Sequence, residues 1–301
     1  MDGPRSLPRE VALVWALLVA DAVGILVTYA RLPARELYHV SGSGFRAGLG
    51  RVLVDANFPV ALVAIPILLV LLDRVGTRLR PLAIAGIVLC LPVFWPGVVD
   101  ESNLDARWVN AIAGAGVLVA VALSASAAFG RWSPARRGDG VRLVVGVAVV
   151  LLSLPWIAAE AGFFLDRVPL LCRVFETGVY RARGGEVAVH HGHHHGLDGM
   201  LLVLSALLLS RIGPGIGTRR IRLAFGAYLA LMLSYGLGNL ANDFWTEQIW
   251  KRGWTNWQFP GLLEPRLSIG WALIVLGAAM IAAMSYETHW SRMGRLAQRR
   301  R

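Results

Sequence analysis

Long apolar runs alternate with short polar connections along most of the chain. Eight runs read as candidate membrane spans, near residues 11–30, 53–72, 81–99, 108–130, 143–165, 193–211, 221–242 and 267–286. A helix needs about 20 apolar residues to cross a bilayer's hydrocarbon core, and most of these runs reach that length. The pattern predicts an all-α fold: a polytopic integral membrane helical bundle of about eight transmembrane helices, with residues 1–301 as a single transmembrane domain. Pro59, Pro66, Pro92, Pro96 and Pro155 fall inside runs, which packed neighbours tolerate within a membrane.

The charges between the runs predict an orientation. Arg74, Arg78 and Arg80 fill the second connection, Arg131, Arg136, Arg137 and Arg142 the fourth, and Arg211, Arg219, Arg220 and Arg222 the sixth. The tail adds Arg292, Arg295, Arg299, Arg300 and Arg301, whereas the third connection carries Asp100, Glu101 and Asp105. By the positive-inside rule the even connections and both termini are cytoplasmic. The longest connections, 31–52, 166–192 and 243–266, then fall on the extracytoplasmic side.

Composition agrees with the pattern. Of 301 residues 56% are hydrophobic and only 16% charged, against about 45–50% and roughly 25% in soluble domains. The net charge of +11 is clustered between apolar runs, so neither a soluble enzyme nor a nucleic-acid binder fits. Lys251 is the single lysine among 30 basic residues, a skew expected of a GC-rich bacterial genome and hence of a bacterial cell membrane. Cys90 and Cys172 belong to an apolar run and a polar stretch, so neither a disulfide between them nor a thiol metal motif is expected. The first run has the length of a transmembrane helix, not of a cleavable signal peptide.

The sixth run holds the distinctive chemistry. Its apolar part, Gly199 to Ser210, has 12 residues and spans about 18 Å as a helix. Gly213, Pro214 and Gly215 block extension at its Arg211 end. Extension the other way draws in the histidine-rich stretch His190-His191-Gly192-His193-His194-His195. On a helix His191, His194, His195 and Asp198 share one face, a ligand set for a divalent transition metal, zinc first. Glu160, at the outer end of the fifth run, and Asp243, at the end of the seventh, are candidate general bases. Asn239, Asn242 and Glu247 extend the same polar pocket. The competing readings are a solvated metal-scavenging loop and a pH-sensing histidine cluster.

Asp21 lies near the middle of the first run, where an acid marks either function or an interhelical hydrogen bond; its depth separates it from the histidines. Trp250, Trp254 and Trp257 fit one face of an interfacial helix or a headgroup platform. Arg46, with Arg51 nearby, sits in a Gly/Ser-rich connection that reads as a mobile loop or a cradle for an anionic headgroup. No apolar run carries paired histidines for haem, and Lys251 lies outside the runs, so haem and retinal are not expected. HExxH is absent as well.

The expectation is an integral membrane protein with an extracytoplasmic His/acid metal site, acting as a metal-dependent hydrolase on a lipid or lipid-linked substrate. The alternatives are a metal transporter or metal-handling protein, and a non-catalytic membrane subunit. Membrane lipids are the expected partners, and the sequence does not fix an oligomeric state.

Overall fold

The computed structural model describes residues 6–298 apart from 38, 101, 164, 166, 170 and 173–188, with side chains up to residue 285. The described residues are helical and contain no strand. The helices are α1 (Arg9–Arg31), α2 (Phe45–Asp55), α3 (Ala61–Arg74), α4 (Arg80–Cys90), α5 (Trp108–Ser126), α6 (Asp139–Glu160), α7 (His195–Ser210), α8 (Arg219–Trp245) and α9 (Ile269–Gln298).

Five helical stretches are long and apolar enough to cross a membrane: Arg9–Arg31, Phe45–Arg74, Trp108–Ser126, Asp139–Glu160 and Arg219–Trp250. Arg80–Phe94, His195–Ser210 and Ile269–Ser285 are shorter apolar helices. Each of the eight apolar runs thus contains a helix, in the expected order. Their outward faces are apolar too. Val19, Val23 and Val27 of α1, and Val144, Val147 and Leu151 of α6, are exposed at helical spacing, a distribution that suits lipid and is rare on a soluble surface.

Two departures from the sequence reading matter. The second span begins at Phe45, so the latter half of connection 31–52 is helix and not a mobile loop. This helix breaks before α3: Phe58 leaves helical geometry (φ −155°, ψ 124°) and Pro59 follows, which has no N–H to donate. The broken backbone is buried in protein, the condition under which such a break survives at membrane depth.

The arginine-bearing ends gather at one end of the bundle. Arg211 pairs with Glu10 at 3.1 Å and with Asp139 at 3.3 Å. Asp73 accepts hydrogen bonds from the Gly217 and Thr218 N–H groups, both at 2.9 Å. The starts of α1, α6 and α8 therefore meet the ends of α3 and α7. Between this end and the site lies an apolar core of Val11, Val14, Leu18, Leu68, Leu71, Leu202 and Leu209.

Glycines set the closest helix contacts. α7 packs on α8 where a Cβ on Gly199 would stand 2.6 Å from the Gly236 carbonyl oxygen and one on Gly236 would stand 2.9 Å from that of Gly199. Two backbones approach this closely only without side chains between them. Gly226, also within α8, has nothing within 4 Å of such a Cβ. Gly199→Ala is expected to destabilise the protein by roughly 1–3 kcal/mol through overpacking, whereas Gly226→Ala is expected to be neutral or to stabilise by up to about 1 kcal/mol. Unfolding of the two variants in detergent, followed by circular dichroism, checks the contrast.

Candidate metal centre

The histidine-rich stretch does not continue the helix. α7 begins at His195, and His194 is its N-cap in extended geometry (φ −117°, ψ 140°). The cause is local: Gly192 adopts φ +101°, a conformation that favours glycine, and a Cβ there would collide with the Tyr29 hydroxyl at 2.6 Å. Gly192 N–H donates to the Ala159 carbonyl at 3.2 Å, and His193 N–H to the Tyr29 hydroxyl at 3.3 Å. Successive side chains of an extended strand point to opposite sides, so His193 and His194 enter different surroundings.

The single-face set expected from the sequence is therefore not formed. His191 faces Glu36 and Arg31 and is half-buried; burial, with Arg31 beside it, lowers its imidazole below the usual value. Asp198 goes with His193, whereas His194 and His195 turn toward Asp243.

His193 is the centre of the first cluster. Its Nδ1 lies 3.1 Å from Glu160 Oε2, while its Nε2 contacts Asp198 Oδ1 and stands 3.7 Å from Asp55 Oδ1. Asp21 joins them: Asp21, Asp55 and His193 each bring a ligand atom within 4.8 Å of the others. The depth argument that set Asp21 apart is overturned, because the start of α7 dips inward to the level of Asp21. Asp55 is 0% exposed, and neither of its oxygens has a hydrogen-bond partner. Asp21 Oδ2 and Glu160 Oε1 are also buried without one. Arg51, one turn before Asp55 on α2, is buried beside this group.

The second cluster lies across the start of α7. Asp243 Oδ2 accepts the Gly196 N–H at 2.8 Å and stands 3.6 Å from His194 Nδ1, with Oδ1 at 3.6 Å from His195 Nε2. Gly196 is required here, since a Cβ would meet Asp243 Oδ2 at 2.6 Å and Trp156 at 2.7 Å. His195 Nε2 lies 3.0 Å from Asn242 Oδ1, and Asn242 donates to the Pro260 carbonyl at 2.9 Å. His190, His194 and Glu247 form a further group with ligand atoms within 4.8 Å, and Glu247 pairs with Lys251 at 2.8 Å. Burial, reinforced by His194, pushes the His190 imidazole well below its usual range. Asn239 is buried lower on α8, donating to the Tyr235 carbonyl at 3.0 Å.

The remaining candidates lie apart. Arg46 is exposed on α2. The helical turn Thr246–Trp250 ends before Gly253 (φ +76°), so Trp250, Trp254 and Trp257 do not share a helical face. Trp254 is 73% exposed, and Trp257 packs on Trp245 and Phe259. Much of connection 166–192 lies outside the described residues.

A small cavity of about 60 Å³ opens on the first cluster, with His193, His195, Asp198, Arg51, Asn57 and Asn110 among its lining. A larger one, about 220 Å³, lies at the arginine end among Ser6, Arg74, Arg131 and Arg136; no histidine or carboxylate lines it, so it is separate from the candidate metal chemistry. Compared with family models, with curated proteins and with solved structures, the chain matches none.

Reasoning from sequence missed His193 and Asp55, and placed Arg51 only beside Arg46 in an external connection. Asp55 and Arg51 carried the same signal as Asp21, an ionisable side chain at the edge of or inside an apolar stretch. Asp243 is the buried link between α8 and the start of α7. Asp243→Ala leaves the Gly196 N–H and two imidazoles without it and is expected to cost roughly 3–5 kcal/mol, measured as a lowered denaturation midpoint in detergent.

Proposed function

We propose that the chain is a cell-membrane protein of eight spans with cytoplasmic termini, and that its His193 cluster holds a divalent transition metal, zinc first, for hydrolysis of a lipid or lipid-linked ester at the extracytoplasmic leaflet. One observation carries the reading. Four carboxylates, of Asp21, Asp55, Glu160 and Asp198, converge on one buried imidazole with several oxygens unsatisfied. Buried unpaired carboxylates are relieved either by taking up protons or by a cation, and one cation at this point would satisfy several of them together.

The donors fit a metal. His193 Nε2 faces Asp55 and Asp198 while Nδ1 is held by Glu160, the arrangement in which a carboxylate fixes the tautomer of a ligating histidine. Asp21, Asp55 and Asp198 supply oxygen ligands. One nitrogen and three oxygens suit zinc, and also ferrous iron or manganese. When bound, such an ion polarises the ester and acidifies a water.

The protein's own groups do the rest. Glu160 Oε1 is the proton acceptor for the attacking water. The water oxygen bonds to the ester centre, the bond to the leaving alcohol breaks, and that alcohol oxygen takes the proton. Asp243, occupied with Gly196, positions α7 and is not the base. The cavity gives the cluster access from the histidine end, while the apolar core of Leu18, Leu68 and Leu202 lies toward the arginine end, which favours a dead-end reaction site over a conduit. A metal-handling role draws on the second group, His190, His194 and Glu247, and predicts metal flux in proteoliposomes.

Elemental analysis of the detergent-purified protein tests the reading. About one transition metal per chain is expected, with near-complete loss in His193→Ala and Asp55→Asn, affinity lowered roughly 10–100-fold in Glu160→Gln, and no change in His191→Ala. Absence of metal from the wild type after zinc loading, or equal content in all variants, would overturn it.

A further inference from the structure

Arg51 has no role in the metal set, yet it is only 4% exposed. Its guanidinium sits 5.8 Å from the centre of the Tyr29 ring. Among the described residues its Nε has no hydrogen-bond partner, and no carboxylate approaches it to ion-pair distance, although Asp55 follows it by one helical turn. Asp55, Asp198 and Glu160 act on it from beyond ion-pair distance, so its Nε donor stays unpaired, and an anion reaching the guanidinium would complete it. Arg51 lines the small cavity together with His193 and Asp198, so the missing anion belongs beside the metal cluster.

We infer that this cavity is the subsite for a phosphoryl group of the substrate, held by Arg51 next to the His193 cluster. The inference rests on the hydrolase reading above and specifies its substrate class: a phosphate ester whose phosphorus is the centre attacked by water. The fork of guanidinium donors matches phosphate oxygens. Asn57 from the helix break, Asn110 from α5 and Arg107 line the same space, and so do the carboxylates of Asp100, Asp105 and Asp198; Asp100 is paired with Arg107 at 3.5 Å and Asp105 accepts from the Ser41 hydroxyl at 2.6 Å. The surrounding carboxylates repel an anion until the metal offsets them, so metal and phosphoryl group bind with mutual support.

Calorimetric titration of the full chain in detergent, zinc-loaded and zinc-free, tests this. The probes are dioctanoyl phosphatidic acid, dioctanoyl glycerol and inorganic phosphate. Saturable binding of phosphatidic acid but not of dioctanoyl glycerol is expected, tighter with zinc. Arg51→Gln should weaken it roughly tenfold or more, with Arg51→Lys intermediate, while zinc content and the unfolding midpoint are kept. Should Arg51→Gln fail to fold, Asn57→Leu carries the same expectation. Competition by inorganic phosphate makes the free ion a ligand of the subsite; phosphatidic acid binding without such competition makes the lipid headgroup the ligand, and either outcome supports the subsite. Equal binding of dioctanoyl glycerol, no binding of any probe, or binding indifferent to Arg51 overturns it. Loss of the zinc result with Arg51-dependent binding intact overturns the metal reading and leaves the subsite standing.

Discussion

Charge balance in a water-poor interior governs this molecule. Four carboxylates from four helical segments surround one imidazole inside an apolar bundle, with one guanidinium near them but not in contact. Like charges about 4 Å apart repel by roughly 4 kcal/mol even at an effective dielectric of 20, far more than surface charges do. Such repulsion is relieved by protonation of some of the carboxylates or by a further cation, the role the proposed metal would take. α1, α2, α6 and α7 each contribute an acid to it, so the same balance that suits a metal also ties together helices distant in sequence.

The backbone is shaped to allow this. Asp55 reaches the cluster because α2 stops there, and the break from Ala56 to Val60 lets the second span change direction before α3 enters the core. His193 reaches it because Gly192 turns the chain inward against Tyr29. Gly196 and Gly199 then let α7 lie against Asp243 and α8 without intervening side chains. Each position lacks either a regular helical conformation or a side chain, and each lies at the level of the acids. Irregular backbone in an otherwise helical membrane bundle is costly, and here it is concentrated where polar groups are placed.

The order of the helices and the gathering of the arginine-bearing ends were legible because apolar periodicity and arginine clustering are both long-range signals repeated many times along the chain. The eight runs contain the eight apolar helical stretches, and Glu10, Asp73, Asp139 and Arg211 bring the arginine-bearing ends together as alternation requires. The site was legible only in part. Treating His191 to Asp198 as one helix gave a face that does not exist, since helical spacing presumes a helix and Gly192 interrupts it. The acids Glu160, Asp198 and Asp243 were visible as ionisable residues flanking apolar runs. Asp55 was overlooked, and Arg51 read only as part of the Gly/Ser-rich connection, because the second span was taken to start near residue 53, which placed them at its edge instead of inside a longer, broken helix. Which acid meets which histidine depends on the pairing of remote helices, and local sequence carries no such information.

The two sides of the start of α7 differ in a way that separates scaffold from chemistry. Asp243 has a backbone N–H on one oxygen and imidazoles beside both, whereas Glu247 pairs with Lys251 through one oxygen and keeps the other, Oε2, buried without a partner. Asp21, Asp55 and Glu160 retain buried oxygens with none, and the one nearby guanidinium stands clear of them toward a cavity. Buried polar groups are normally satisfied. At equal burial, then, the contrast is between Asp243 and the acids Asp21, Asp55, Glu160 and Glu247 at the same level. Asp243 holds the start of α7 in place, and it is the unpaired oxygens around His193 that the proposed cation, and the Arg51 donor that the proposed anion, would complete.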